Sequence, residues 1–229
     1  MRNLRNTIHK NDPSDFSYVV VKDDKLDYDS EFPTLYDFEH NMETKSKDKF
    51  IKGIEKIIRS SNEYSKEFIP FIKYHVGLDK CSFFNNLNIE RKNVKLEIHH
   101  SPLTLYEIVT IAIKYYGTNC DKFLNVFKIA EIVMKWHWEG IIGLIPLSNT
   151  VHKLVHSGDI NIPLHLPYGN KKLFYETYNS YFPESIKDKY EKLREATNEY
   201  IDHPPEVLEQ RYIYLNGGDG YILPTLNKK

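Results

Sequence analysis

Four histidines in two short strings constrain the fold of this chain more than any other feature. The string at 97–100 has the composition of a strand and ends in two adjacent imidazoles. The string at 144–156 has the pattern of a short strand, a turn and a helix. Three converging neutral imidazoles make a site for a divalent transition metal, and a fourth beside them can act as a base. We therefore predict a strand–strand–helix unit built around a metal ion.

The spacing of the histidines separates their roles. His152 and His156 are four residues apart, which places both side chains on one face of a helix. His99 and His100 point to opposite sides of an extended strand, so the pair suits one ligand and one free base. The predicted ligands are His99, His152 and His156. They leave at least one coordination position open, as catalytic sites do, and His100 is predicted to take a proton from an attacking water.

Taken together, the two strings resemble the HNH endonucleases of the ββα-metal nuclease superfamily. The resemblance is closest to the colicin-type DNases, which carry His-His on the first strand and His-x-x-x-His on the helix. It implies that His99 binds the metal and that His100 is the general base. It also implies that the two helix histidines are the other ligands, and that Glu97 supports the phosphate-binding side of the site.

Two departures separate the chain from that family. The middle Asn of the HNH motif, nine residues before the first helix histidine, is replaced by Gly143, and Asn149 is a nearby substitute out of register. Residues 103–140 stand where the family has a shorter loop, and their apolar spacing predicts an inserted helical hairpin. His137, near the end of this hairpin, is a candidate for contact with a phosphate or with the outer shell of the metal, against a packing role.

The predicted fold class is α+β, a ββα-metal (HNH) motif with a helical-hairpin insertion set in a mainly helical protein. We predict an acidic N-terminal extension at 1–44 and a basic helical segment at 45–90. The nuclease motif follows at 91–166, and then a helical C-terminal extension at 167–229 with a terminal hairpin. Smaller predicted elements are strands at 16–22 and 160–167, helices at 47–60, 63–75, 173–181 and 185–201, and a hairpin at 210–223.

Charge and composition limit the kinds of partner and the cellular compartment that we expect for this protein. The formal net charge is −1, but residues 45–95 hold twelve Lys or Arg against six Asp or Glu. This basic segment precedes the histidine pair and could follow a phosphate backbone, although a solvated helix face is the more common interpretation. Cys81 and Cys120 form no disulfide framework and are expected to be small buried hydrophobes in a reducing cytosol. No apolar run predicts a signal peptide or a membrane span, so we expect a cytoplasmic protein.

The leading prediction is a metal-dependent HNH endonuclease that nicks DNA, with one divalent ion chosen among Zn, Ni, Mn and Mg. Only one ion is expected because the chain has no Cys-x-x-Cys pair. The resemblance also implies a phage or mobile element, and hence the host cytoplasm. Two alternatives stay open: a catalytically degenerate HNH-fold protein with a structural zinc, acting in nucleic-acid binding or assembly, and an RNase on the same fold.

Overall fold

The predicted strand–strand–helix order is present in the computed structural model, which describes residues 32–83 and 95–202. Strand β1 spans Leu96–His100 and pairs antiparallel with β2, Leu144–Ser148, and helix α5, Asn149–His156, follows β2 directly. Within the described residues the fold is mixed α+β and mostly helical, with a small two-stranded sheet. The predicted strand at 16–22 and hairpin at 210–223 lie outside the described residues.

The register of the two strands separates the adjacent histidines of β1. His99 lies opposite Ile145, and His100 lies opposite Leu144. Ile145 belongs to a small apolar cluster that includes Val151 of α5, whereas Leu144 belongs to the main helical core. Because successive residues of a strand face opposite ways, His99 lies on the α5 side of the sheet and His100 on the side of the main core.

Pro146 lies in the middle of β2 without removing a bond from the β1–β2 ladder. Leu144 exchanges both of its backbone hydrogen bonds with Tyr168, at 2.9 and 2.7 Å, so its polar groups face away from β1. Pro146, two residues on, has the same orientation, and its carbonyl accepts a bond from the Ser82 N–H at 2.9 Å. The missing N–H of the proline therefore falls on the outer edge, where proline is tolerated.

The predicted helical hairpin between β1 and β2 is present. Helix α3 spans Leu105–Asn119 and α4 spans Val126–Trp138. Thr104 caps α3 in a reciprocal arrangement with Glu107, and Asn125 caps α4 by accepting two backbone N–H groups. Both helices contribute mainly apolar side chains to the core, so they enlarge the hydrophobic interior that supports the sheet.

The remaining helices flank this hairpin. Helix α1, Thr44–Ser60, packs against α3 and α4. The predicted break near Pro70 is a change of helix type, with Pro70 in the first turn of α2, Ile69–Tyr74, after a π-helical segment. The bounds are α1 Thr44–Ser60, α2 Ile69–Tyr74, α6 Lys171–Tyr178 and α7 Glu184–Asp202, with π-helical turns at Asp37–Asn41 and Glu63–Phe68 and a 3₁₀ turn at Asn179–Tyr181.

Two smaller predictions are wrong. Residues 160–167 form no strand, because Pro163 and Pro167 have no N–H to donate and the segment instead turns, with the Leu166 N–H bonded to the Pro163 carbonyl. Cys81 is buried as expected, but Cys120 is exposed at the end of α3. In the described part of the chain, no helix has both the length and the apolarity to cross a membrane.

Candidate metal centre

The three predicted ligands come together on the α5 side of the sheet. One ring nitrogen of each of His99, His152 and His156 lies within 4.8 Å of the other two. The Nε2 atoms of His152 and His156 are 3.1 Å apart, as the four-residue spacing on α5 predicts. Nitrogen ligands of a tetrahedral zinc ion lie about 3.3 Å apart. The three imidazoles therefore fit a single ion after small side-chain movements.

The electrostatics of the cluster favour neutral rings. Burial, together with the neighbouring His152 and His156, lowers the pKa of His99 to about 4. Burial also lowers the pKa of His152, against the opposing effect of Glu97. Neutral imidazoles keep the lone pair that a metal needs, so these two rings are ready to bind at neutral pH. His156 is exposed, which leaves the solvent side of the cluster open.

Glu97 supports a ligand. Its Oε2 lies 2.9 Å from Nδ1 of His152, and its Oε1 lies 3.3 Å from Nζ of Lys95. A carboxylate accepts, so Nδ1 of His152 carries the proton and Nε2 is left as the donor atom for a metal. This carboxylate–histidine arrangement is the usual outer shell of a histidine-bound metal. Glu97 thus contacts a predicted ligand, and its support of the phosphate-binding side stays a prediction.

His100 lies apart from the three-histidine cluster. It is only 4% exposed, and its Nε2 is 2.9 Å from Nε2 of His137. The contact of His137 with a phosphate or with the metal's outer shell stays a prediction, whereas the packing role is the one observed, because His137 is only 2% exposed. The cause is its position on the apolar face of α4, between Val133 and the aromatic rings of Tyr64 and Phe68. Sequence reasoning missed this histidine pair, although the apolar neighbours of His137 were a usable signal.

The close approach of the backbone at Gly143 leaves no room for a side chain at this position. The Ser101 N–H bonds to the Gly143 carbonyl at 3.0 Å, which extends the strand ladder by one pair. A Cβ atom at position 143 would lie 1.9 Å from the Ser101 carbonyl oxygen. No side chain fits there without moving the backbone. Asn149 is exposed at the start of α5, and its backbone N–H bonds to the Lys95 carbonyl; its role as a substitute for the motif Asn stays a prediction.

These features define an α+β protein in which three imidazoles that could hold a metal ion converge on a strand–strand–helix unit. The chain belongs to the bacteriophage G278-like virion protein family, whose sequence model matches residues 1–217. No curated protein and no solved structure is significantly similar to it. The family agrees with the expected phage origin, while its description speaks of a virion protein and not of a nuclease.

Proposed function

We propose that this phage protein binds one divalent transition metal and uses it to hydrolyse phosphodiester bonds, with DNA as the substrate. The observation that carries the proposal is the convergence of one β1 histidine and two α5 histidines in β–β–α order, with the solvent side left open. When bound, the ion would polarise the scissile phosphate and stabilise the leaving 3′ oxygen. His99, His152 and His156 would hold it, and three imidazoles favour zinc or nickel over magnesium.

The charges around the cluster suit an anionic substrate. Burial is the main cause of the lowered pKa of His99, His100 and His152, and the positive charge of Arg59 of α1 makes a smaller contribution to each. Lys153 is exposed on α5 between the two ligand histidines. Cations beside an open metal position attract phosphate and raise its local concentration. These groups support binding of nucleic acid without selecting a sequence.

A second candidate function is a structural metal in a virion protein, acting in assembly. Two observations favour it: His100 is buried, where a structural site would place it, and the family is named for virion proteins. In this case the metal would fasten β1 to α5, and the chain would cut nothing. A structural ion contributes its binding free energy to folding, so its removal lowers stability.

The experiment is nicking of supercoiled plasmid by metal-stripped protein, with Zn, Ni, Mn and Mg added back one at a time. We expect metal-restored nicking that His100→Ala abolishes while metal binding is kept. His152→Ala should weaken zinc binding by more than about 100-fold, beyond the loss of an outer-shell partner. His40→Ala, an exposed histidine outside the cluster, is the matched control.

The two candidate functions give different results in this experiment. Tight one-to-one zinc binding with no cutting of plasmid, together with a melting temperature that falls on metal removal, would refute the nuclease and support the structural metal. Cutting of RNA but not of plasmid would replace DNA by RNA as the substrate. Activity that survives His152→Ala would refute the proposed metal site.

A further inference from the structure

The buried pair His100 and His137 can share only one proton. Their Nε2 atoms are 2.9 Å apart, and the rings are nearly perpendicular, with centroids 5.2 Å apart. Two nitrogens at this distance form a hydrogen bond only if one carries a hydrogen and the other a free lone pair. The direction of the bond therefore fixes the tautomer of both rings.

The other nitrogen of His137 sets that direction. Its Nδ1 lies 2.7 Å from the Val133 carbonyl oxygen, one turn earlier in α4. A carbonyl oxygen can only accept, so Nδ1 of His137 carries the hydrogen. Burial lowers the pKa of His137 to about 4, so the ring is neutral at pH 7 and has no second hydrogen. Its Nε2 therefore accepts, and Nε2 of His100 donates.

We propose that His137 is a positioning residue that holds His100 in the Nε2–H tautomer, which leaves Nδ1 of His100 as its only proton-accepting atom. This inference rests on the proposed function, because an accepting nitrogen matters only if His100 acts as a base. None of the described residues is seen to hydrogen-bond that nitrogen.

Aromatic packing keeps both rings in place. Tyr64 stacks on His100, with ring centroids 6.5 Å apart and planes 11° from parallel, and meets His137 edge-on at 5.7 Å. Phe68 contacts His137 edge-on at 5.2 Å. Tyr64 and Phe68 are themselves buried. Neither imidazole can turn over without displacing these core side chains, so the tautomer is built into the packing.

His100 follows the predicted ligand His99 in the chain, and its Cα is about 3.8 Å away, on the opposite face of the strand. The proposed hydrolysis takes His100 as the base. Nδ1 of His100 accepts a proton from water as the water oxygen bonds to phosphorus, and the bond to the leaving 3′ oxygen breaks. That oxygen takes a proton from solvent, and His100 later returns its own proton to solvent.

The test combines ¹⁵N NMR of the histidine rings with nicking kinetics of the full chain. In metal-stripped wild type we expect His100 to be protonated at Nε2 and His137 at Nδ1, with the His100 signals assigned by their loss in His100→Ala. His137→Leu removes the acceptor, and we expect it to lower kcat for plasmid nicking by about 100-fold, within the range that a positioned base contributes. KM and zinc affinity should change little.

The conservative variant His137→Gln should restore most of kcat, because its amide can accept from His100 and donate to Val133. His75→Leu, an exposed histidine on the neighbouring helical segment, is the matched control and should keep wild-type kcat. Protonation of His100 at Nδ1 in wild type, or full kcat in His137→Leu, would overturn the inference. Wild type that binds zinc and cuts nothing would refute the proposed function and the base role with it, while the NMR result would still decide whether His137 sets the tautomer.

Discussion

The two faces of β1 carry the same residue type in opposite surroundings. On the α5 face, His99 meets two further imidazoles beside a carboxylate and open solvent. On the core face, His100 meets one imidazole inside a ring of aromatic side chains. The first group offers several lone pairs to one cation, whereas the second can satisfy itself only by sharing a proton. The two histidines are adjacent in β1 but face opposite sides of the strand. The side that a histidine faces thus decides whether it is suited to a metal or to a hydrogen bond.

The comparison also separates two sources of stability. Without a cation, the half-buried cluster has an imidazole–imidazole contact between Nε2 of His152 and Nε2 of His156 at 3.1 Å, and protonation of one ring disfavours protonation of the others. The buried pair is already satisfied through its shared hydrogen bond and its contacts with Tyr64 and Phe68. We therefore expect metal removal to loosen the α5 face and acid to disrupt the core face.

Acid should have the largest effect on the buried face. The folded-state pKa of His137, about 4, lies below the unfolded value of about 6.5, so its contribution to stability is present above pH 6.5 and is lost as the pH falls toward 4. The shift corresponds to about 3 kcal/mol. Urea unfolding of metal-free protein between pH 7 and pH 4 should show a decrease in the free energy of unfolding in wild type. In His137→Gln the decrease should be smaller by about 3 kcal/mol, because the contribution of His137 is absent.

His75→Gln is the control for the acid experiment. His75 is exposed, so this variant should keep the wild-type dependence of the unfolding free energy on pH. Identical pH profiles for wild type and His137→Gln would show that His137 is not held neutral in the core.

A side chain at position 143 should disturb the end of the ladder beside His100. Gly143→Ala places a Cβ atom 1.9 Å from the Ser101 carbonyl oxygen, and we expect a loss of about 1–3 kcal/mol in the free energy of unfolding. Gly143→Asn, which restores the residue of the HNH motif, should destabilise as well and gain no activity. Chemical denaturation measures both variants.

Gly53→Ala is the matched control for Gly143→Ala. Gly53 lies inside α1 with nothing within 4 Å of an added Cβ, so alanine there should stabilise the protein by about 0.5–1 kcal/mol. A Gly143→Ala variant as stable as wild type would mean that the two strands do not approach each other closely at this point.

The smallest effect is expected on the outer shell of the metal. Glu97→Ala removes the partner of His152 Nδ1 and should weaken zinc binding by about 10- to 100-fold, with a smaller loss in Glu97→Gln, which keeps an accepting oxygen. Lys95→Ala removes only the exposed ion pair with Glu97 and should change zinc affinity by less than about fivefold. Isothermal titration calorimetry measures these affinities, and equal losses in Glu97→Ala and Lys95→Ala would argue against an orienting role for Glu97.

Much of the fold could be predicted because local patterns carry it. The four-residue spacing on α5, the apolar stripes of α3 and α4 and the caps at Thr104 and Asn125 act within a few residues of chain. The strand predicted at 160–167 failed because alternation alone does not form a strand. Its two prolines cannot donate hydrogen bonds to a strand ladder, so the segment forms a turn instead.

The sequence by itself determined which residues could hold a metal: the identity and spacing of His99, His152 and His156 were enough to place them on one strand and one helix face. Only the tertiary structure decided the surroundings of His100 and the need for glycine at 143. Both depend on contacts between segments distant in the chain, namely α4 against the end of β1 and Gly143, just before β2, against the Ser101 carbonyl. Such contacts arise from packing in three dimensions, which a local pattern of residue types does not encode.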